Sequence, residues 1–116
     1  SLKLDADFTV FELSDLASRE ELRGVVLTAI MFMTTQMMVQ TNRSTKKMLL
    51  IDEAWQMLKG GQMADFVEAY ARTCRKYGGC LATATQSVND YYKSDGAKAA
   101  LENSDWTLIL QQKPET

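Results

Sequence analysis

The 116-residue chain is 46% hydrophobic and 24% charged, a balance that excludes disorder and collagen-like repetition and gives room for one domain, not two. Thirteen Lys and Arg against fifteen Asp and Glu leave a net charge of −2, which argues against a general basic surface for nucleic acid; a local patch stays open. With no His in the chain, His-based acid–base chemistry, His-assisted nucleophiles and most zinc sites are excluded. Cys74 and Cys80 match no metal-ligand spacing and are too few for a disulfide scaffold, so a reducing cytoplasm is the simplest compartment. No targeting or membrane segment is read. The most apolar stretch, residues 25–39, is interrupted by Thr28, Thr34, Thr35 and Gln36 and falls short of the roughly 20 residues of a bilayer span. The absent initiator Met and the abrupt end at Thr116 read as a piece of something longer.

In chain order, residues 8–13 (Phe-Thr-Val-Phe-Glu-Leu) are aromatic and β-branched and read as a first strand. Ser14 or Asp15 can cap a helix that carries Leu22, Val26, Ile30, Met33 and Met37 at helical spacing. Val25, Phe32 and Met38 make its other side apolar too, the pattern of a helix buried on more than one face. A polar loop at 40–45 precedes a second strand at 48–51, ending in Asp52-Glu53. A short amphipathic piece at 54–59 leads to a Gly60-Gly61 turn. The next helix stripes Met63, Phe66, Val67, Tyr70, Cys74 and Tyr77 on one side, with Asp65, Glu68, Arg72, Arg75 and Lys76 opposite, and stops at Gly78-Gly79. Residues 80–85 form a third strand, 87–103 two short helical pieces broken at Ser94-Asp95-Gly96, and 106–110 a fourth strand. This alternation predicts an α/β fold, a parallel sheet covered by helices.

Open parallel sheets bind ligands beyond the carboxyl ends of their strands. That rim carries Asp52, Glu53, Gln86 and Gln111, each placed where an apolar run stops. Four apolar residues followed by Asp-Glu make a Walker B pattern. Asp52 would serve a phosphate-bound Mg²⁺ through its water shell, and Glu53 would polarise the attacking water. The plain alternative is that Asp52 caps a helix beginning near Glu53. Gln86 can sense a terminal phosphate or hold the water, because an amide both donates and accepts; its plain alternative is a bond to its own loop. Arg72, Arg75 and Lys76 share a helix face from which a cation could reach a neighbour's nucleotide, although helix C-termini and solvated faces carry such charges routinely. Trp55 and Trp106 fit packing or interfaces better than base stacking, and the seven Met fit core filling first and an adaptable interface second. No Gly-x-x-x-x-Gly-Lys-Ser/Thr occurs, so these residues contain no phosphate cradle.

The strings Leu49-Leu-Ile-Asp-Glu-Ala-Trp-Gln-Met-Leu58, Ala71-Arg-Thr-Cys-Arg-Lys-Tyr-Gly-Gly79, Ala84-Thr-Gln86 and Asn103-Ser-Asp-Trp-Thr-Leu-Ile-Leu110 resemble the C-terminal motor domain of TraC-type ATPases. Those proteins energise conjugative transfer and type IV secretion and are similar to the HerA/FtsK group of RecA-like motors. The resemblance implies a three-layer RecA-like P-loop NTPase core lacking its P-loop strand, residues 1–116 being the Walker B half of one domain. It implies ATP and Mg²⁺ as cofactors, Asp52 as the metal carboxylate, Glu53 as the catalytic glutamate, Gln86 as the strand-end sensor, and Arg72 or Arg75 acting in trans. It further implies partner subunits in a hexamer of the parent protein, contacts with inner-membrane secretion-channel components, and a cytoplasmic location peripheral to that membrane. In the RecA-like order the P-loop strand lies between the third and fourth strands, and the gap it leaves is expected to close by direct pairing of those two or by a strand from another chain. Two further readings are a DNA-pumping motor or coupling protein of the same superfamily, for which residues 89–98 offer only Lys93 and Lys98, and a non-catalytic assembly module using the Met-rich helix.

Overall fold

The computed structural model of the protein describes residues 6–16, 18–53 and 61–114. It divides into two compact units, Ser1–Asn42 and Arg43–Thr116.

The first unit is helical. A single 3₁₀ turn, Ser14–Leu16, precedes helix α1, Glu20–Gln40. Ser14 and Asp15 sit in that turn and do not cap α1; the residue before the helix is Arg19, which makes no side-chain cap, and the chain enters through backbone bonds from Leu16 N to Leu13 O and Arg19 N to Leu16 O, both 3.0 Å. Thr28 and Thr34 return their hydroxyls to the carbonyls of Gly24 (2.8 Å) and Met31 (3.0 Å), which satisfies them without a tertiary partner. Only Thr34 and Met38 of α1 are buried, and Phe32 is 65% exposed, so the expected burial on more than one face does not occur within these residues. Periodicity reports which residues are apolar and not what covers them. α1 also runs beyond the apolar stretch visible in sequence: Glu21–Gln40 is long and apolar enough to cross a membrane by length and composition alone.

The second unit holds the sheet. Strand β1, Lys47–Ile51, pairs in parallel with β2, Gly79–Thr83, in the register Lys47↔Gly79 through Ile51↔Thr83. Between them run helix α2, Gly61–Thr73, and a 3₁₀ turn, Cys74–Tyr77; after β2 come a second 3₁₀ turn, Val88–Tyr92, and helix α3, Asp95–Glu102. The break at Ser94 is a cap, its hydroxyl accepting from Ala97 N at 3.2 Å. Val67, Tyr70 and Cys74 of the predicted stripe are buried, Phe66 and Tyr77 half-buried. Val67, Ala97 and Ala100 form the core, flanked by Ile51, Phe66, Leu81 and Tyr91. Alanines on α3 let its backbone approach α2 closely, and the β1 residues of the other parity, Met48 and Leu50, face outward and are exposed. Met63, the 54–59 piece, Trp55 and Gly60 lie outside what can be described, and Gly61 opens α2 instead of completing a turn.

Gly78 ends the α2 segment in the left-handed region, φ +73°, and a Cβ there would stand 2.3 Å from the Arg43 carbonyl oxygen. Lys47 fastens the same corner: its backbone N–H donates to Gly78 O (3.1 Å) and its Nζ to Tyr77 O (2.5 Å).

Two expected strands do not form. Residues 8–13 and 106–110 carry no ladder, and the sheet among the described residues has two strands. A strand exists only through a neighbour that takes its backbone bonds. Trp106 (88%) and Leu108 (91%) are exposed and bury nothing in these residues. The expected direct pairing of the third and fourth strands is thereby overturned: among the described residues β2 is paired with β1 alone.

Candidate functional site

Because β1 and β2 are parallel and in register, their carboxyl ends finish side by side, and Ala84 N extends the pairing by donating to Ile51 O at 2.9 Å. Asp52-Glu53 leaves this edge from one strand and Thr85-Gln86 from the other. Asp52 is exposed and its Oδ1 accepts from Glu53 N at 3.0 Å. Glu53 is half-buried with φ +54°, a left-handed backbone unusual for a residue with a Cβ. Its Oε1 accepts a hydrogen bond from Gln86 Nε2 at 2.8 Å, across 33 residues of sequence. The exposed amide of Gln86 thus reaches the opposite strand's carboxylate and not its own loop.

Behind Gln86 lies a polar knot. The buried carboxylate of Asp90 accepts, on Oδ2, the hydroxyl of Thr85 and the backbone N–H of Ser87 (3.3 Å). Its Oδ1 pairs with Lys93 Nζ at 2.7 Å. Hydrogen bonding by Lys93, then by Thr85, holds the Asp90 carboxyl below the usual carboxylate range. The Ser87 hydroxyl accepts from Asn89 N at 3.3 Å, completing a reciprocal cap on the Val88–Tyr92 turn. Tyr91 Oη lies 3.0 Å from Thr83 Oγ1 and donates to Thr83 O at 3.2 Å, which ties the same turn to the end of β2. The sequence reading missed Asp90. Its signal was the Ser87-x-x-Asp90 spacing of a capping box, set one residue after Gln86.

The remaining candidates lie elsewhere. Arg72 on α2 pairs with Glu68 at 2.5 Å, and Arg75 with Asp105 at 3.0 Å, both pairs exposed. They stand where the chain is about to enter β2, at the end away from Gln86; five strand residues separate the two ends by roughly 16 Å. Gln111 follows a segment outside the sheet and makes no described contact with the rim. Among the described residues no group of three or more His, Cys, Asp or Glu could cage a metal. A partial set suits Mg²⁺, which keeps several waters and takes one or two carboxylates together with substrate phosphates. Asp52, exposed at the rim, and Glu53 beside it are the carboxylates that could form such a set.

Comparison with known proteins gives the chain its relatives. It is 35% identical over 117 residues to protein TraC of Escherichia coli strain K12, an alignment covering 97% of this chain and 13% of TraC. The chain therefore spans about an eighth of the length of that relative. No solved structure matches it. The TraG P-loop domain family matches residues 2–115, nearly end to end, and the chain belongs to that family of P-loop domains.

Proposed function

We propose that the rim of Asp52, Glu53 and Gln86 is the hydrolytic half of a nucleotide site in the ATP-driven motor of a conjugative or type IV secretion apparatus. One observation carries this reading: Gln86 Nε2 meets Glu53 Oε1 at 2.8 Å on the shared carboxyl edge of two parallel strands, in a chain of a P-loop family. An ordinary helix cap needs no amide from another strand, whereas an amide that both donates and accepts can orient a carboxylate acting on water.

Asp52 would hold Mg²⁺ through its water shell, the ion supplying charge neutralisation on the phosphates of ATP. Glu53 acts on the attacking water, and Gln86 orients Glu53 and whatever oxygen lies between them. The phosphate cradle is contributed by residues beyond these 116, so residues 1–116 constitute the Walker B half of a RecA-like domain. Two features support a wider, three-layer sheet. Among the described residues β2 has a free edge, and residues 106–110 keep apolar side chains uncovered. A P-loop strand between them would pair both. Arg72 and Arg75, away from their own rim, suit action on a neighbouring subunit's ATP in a ring, for which a hexamer is the proposed state. The proposed setting is the cytoplasmic side of the inner membrane, against channel components of the secretion apparatus.

A second reading has an observation of its own. The exposed apolar faces of α1 fit an assembly module as well as a motor. A DNA-pumping motor shares the same rim, but the net charge and the sparse cations at 89–98 favour it less. Steady-state ATP turnover by the full-length protein carrying this sequence separates motor from module. Gln86→Ala should slow turnover about 10- to 100-fold, and Asp52→Asn should raise the Mg²⁺ needed for half-maximal rate. Wild-type behaviour in both variants would leave the assembly reading.

A further inference from the structure

Gln86 is exposed and projects from a loop, a poor starting point for a group that must meet a carboxylate at one defined place. An exposed glutamine has several rotatable bonds, and its aim depends on how firmly its backbone is held. Its two neighbours are both fastened to a single atom. Thr85, before it, donates its hydroxyl to Asp90 Oδ2; Ser87, after it, donates its backbone N–H to the same oxygen. The second oxygen of Asp90 is held by Lys93, so the carboxylate cannot swing away without losing an ion pair. Tyr91 adds a tie from the same turn to Thr83. Asp90 itself is 5% exposed, and among the described residues no buried side-chain polar atom lacks a partner. A buried carboxylate satisfied on both oxygens is a rigid support.

We propose that Asp90 is a positioning residue that clasps the peptide on either side of Gln86 and thereby aims its amide at Glu53. The inference rests on the proposed role of Gln86 in ATP turnover. Asp90 touches neither Glu53 nor Asp52 in the described contacts and acts through the Thr85 hydroxyl and the Ser87 backbone N–H. Thr85 is then a required hydroxyl: Ser can replace it, whereas the isosteric Val cannot.

The test uses the full-length protein with Thr85→Val, Thr85→Ser and Gln86→Ala, singly, and with Thr85→Val combined with Gln86→Ala. Thr85→Val should lower kcat about 10-fold or more with KM for ATP within about twofold, and speed amide hydrogen exchange at Gln86 and Ser87. Thr85→Ser should restore both. In the Gln86→Ala background Thr85→Val should cost nothing further, since a support matters only while it has something to aim. Unchanged exchange in Thr85→Val overturns the clasp, as does wild-type kcat or a loss that multiplies with that of Gln86→Ala. Should Gln86→Ala itself turn over normally, the role of Gln86 fails on its own, and the exchange rates still decide whether the clasp exists.

Discussion

At Glu53 the backbone turns left-handed, and a side chain there costs about 1–2 kcal/mol that a glycine would not incur. Strain of this kind persists where the surroundings enforce it, and here the carboxylate's bond to Gln86 gives it a use. Glu53→Gly should therefore raise stability by about 1 kcal/mol, read as an upward shift in the urea midpoint, while abolishing turnover. A destabilised Glu53→Gly variant would mean that the glutamate is structural. Asp90 gives a pH prediction of definite sign. Its carboxyl is depressed in the folded protein, chiefly by Lys93, so its stabilisation is present above the unfolded carboxylate pKa of about 4 and lost as pH falls through the lower folded value. Urea midpoints measured from pH 6 to pH 3 should fall more steeply for the wild type than for Asp90→Asn; parallel curves would contradict the assignment. The Asp52-Glu53 and Thr85-Gln86 pairs were legible from where apolar runs stop, since strand ends are fixed by the same hydrophobicity that fixes strands. For Asp90 only the capping-box spacing to Ser87 was legible; its burial and its hold on Thr85 show once its partners are in place.

Among the elements, α2 and α3 matter most, because they carry the core cluster against which Ile51 of β1 and Leu81 of β2 pack. Val67 is fully buried between them and against Ile51 and Leu81. Val67→Ala should destabilise by about 2 kcal/mol in urea or thermal unfolding, from lost burial plus the cavity left behind. Gly78→Ala meets both a left-handed backbone and a carbonyl 2.3 Å from the new Cβ, and should cost at least about 2 kcal/mol. A neutral result at Gly78 would show that the corner between α2 and β2 can relax. These elements were readable because their periodicity is enforced locally: α2 has a clear apolar stripe, and Gly78 a single conformational reason to exist. The strands expected at 8–13 and 106–110 were not decidable in that way. Their composition is strand-like, yet a ladder needs an adjacent backbone, and none lies beside either segment among the described residues. α1 repeats the lesson, its apolar pattern being correct and its burial limited, among the described residues, to Thr34 and Met38.

For the whole molecule, the proposed site is divided between these residues and others. The Asp52 and Glu53 carboxylates and the Gln86 amide share one rim, while the sequence contains no glycine-rich cradle for phosphate. The 116-residue chain alone should show no ATP affinity tighter than about 1 mM by calorimetry, a level at which binding is worth only about 4 kcal/mol. Micromolar binding would reveal a phosphate site built without a glycine-rich cradle. In the full-length protein, the most direct measurement is single-turnover cleavage of bound ATP by rapid quench, comparing the wild type with Glu53→Gln. ATP binding within a few-fold of wild type, with cleavage slowed at least about 100-fold, is the result predicted for a glutamate acting on the attacking water. Cleavage at the wild-type rate would contradict the assignment of this rim to ATP hydrolysis.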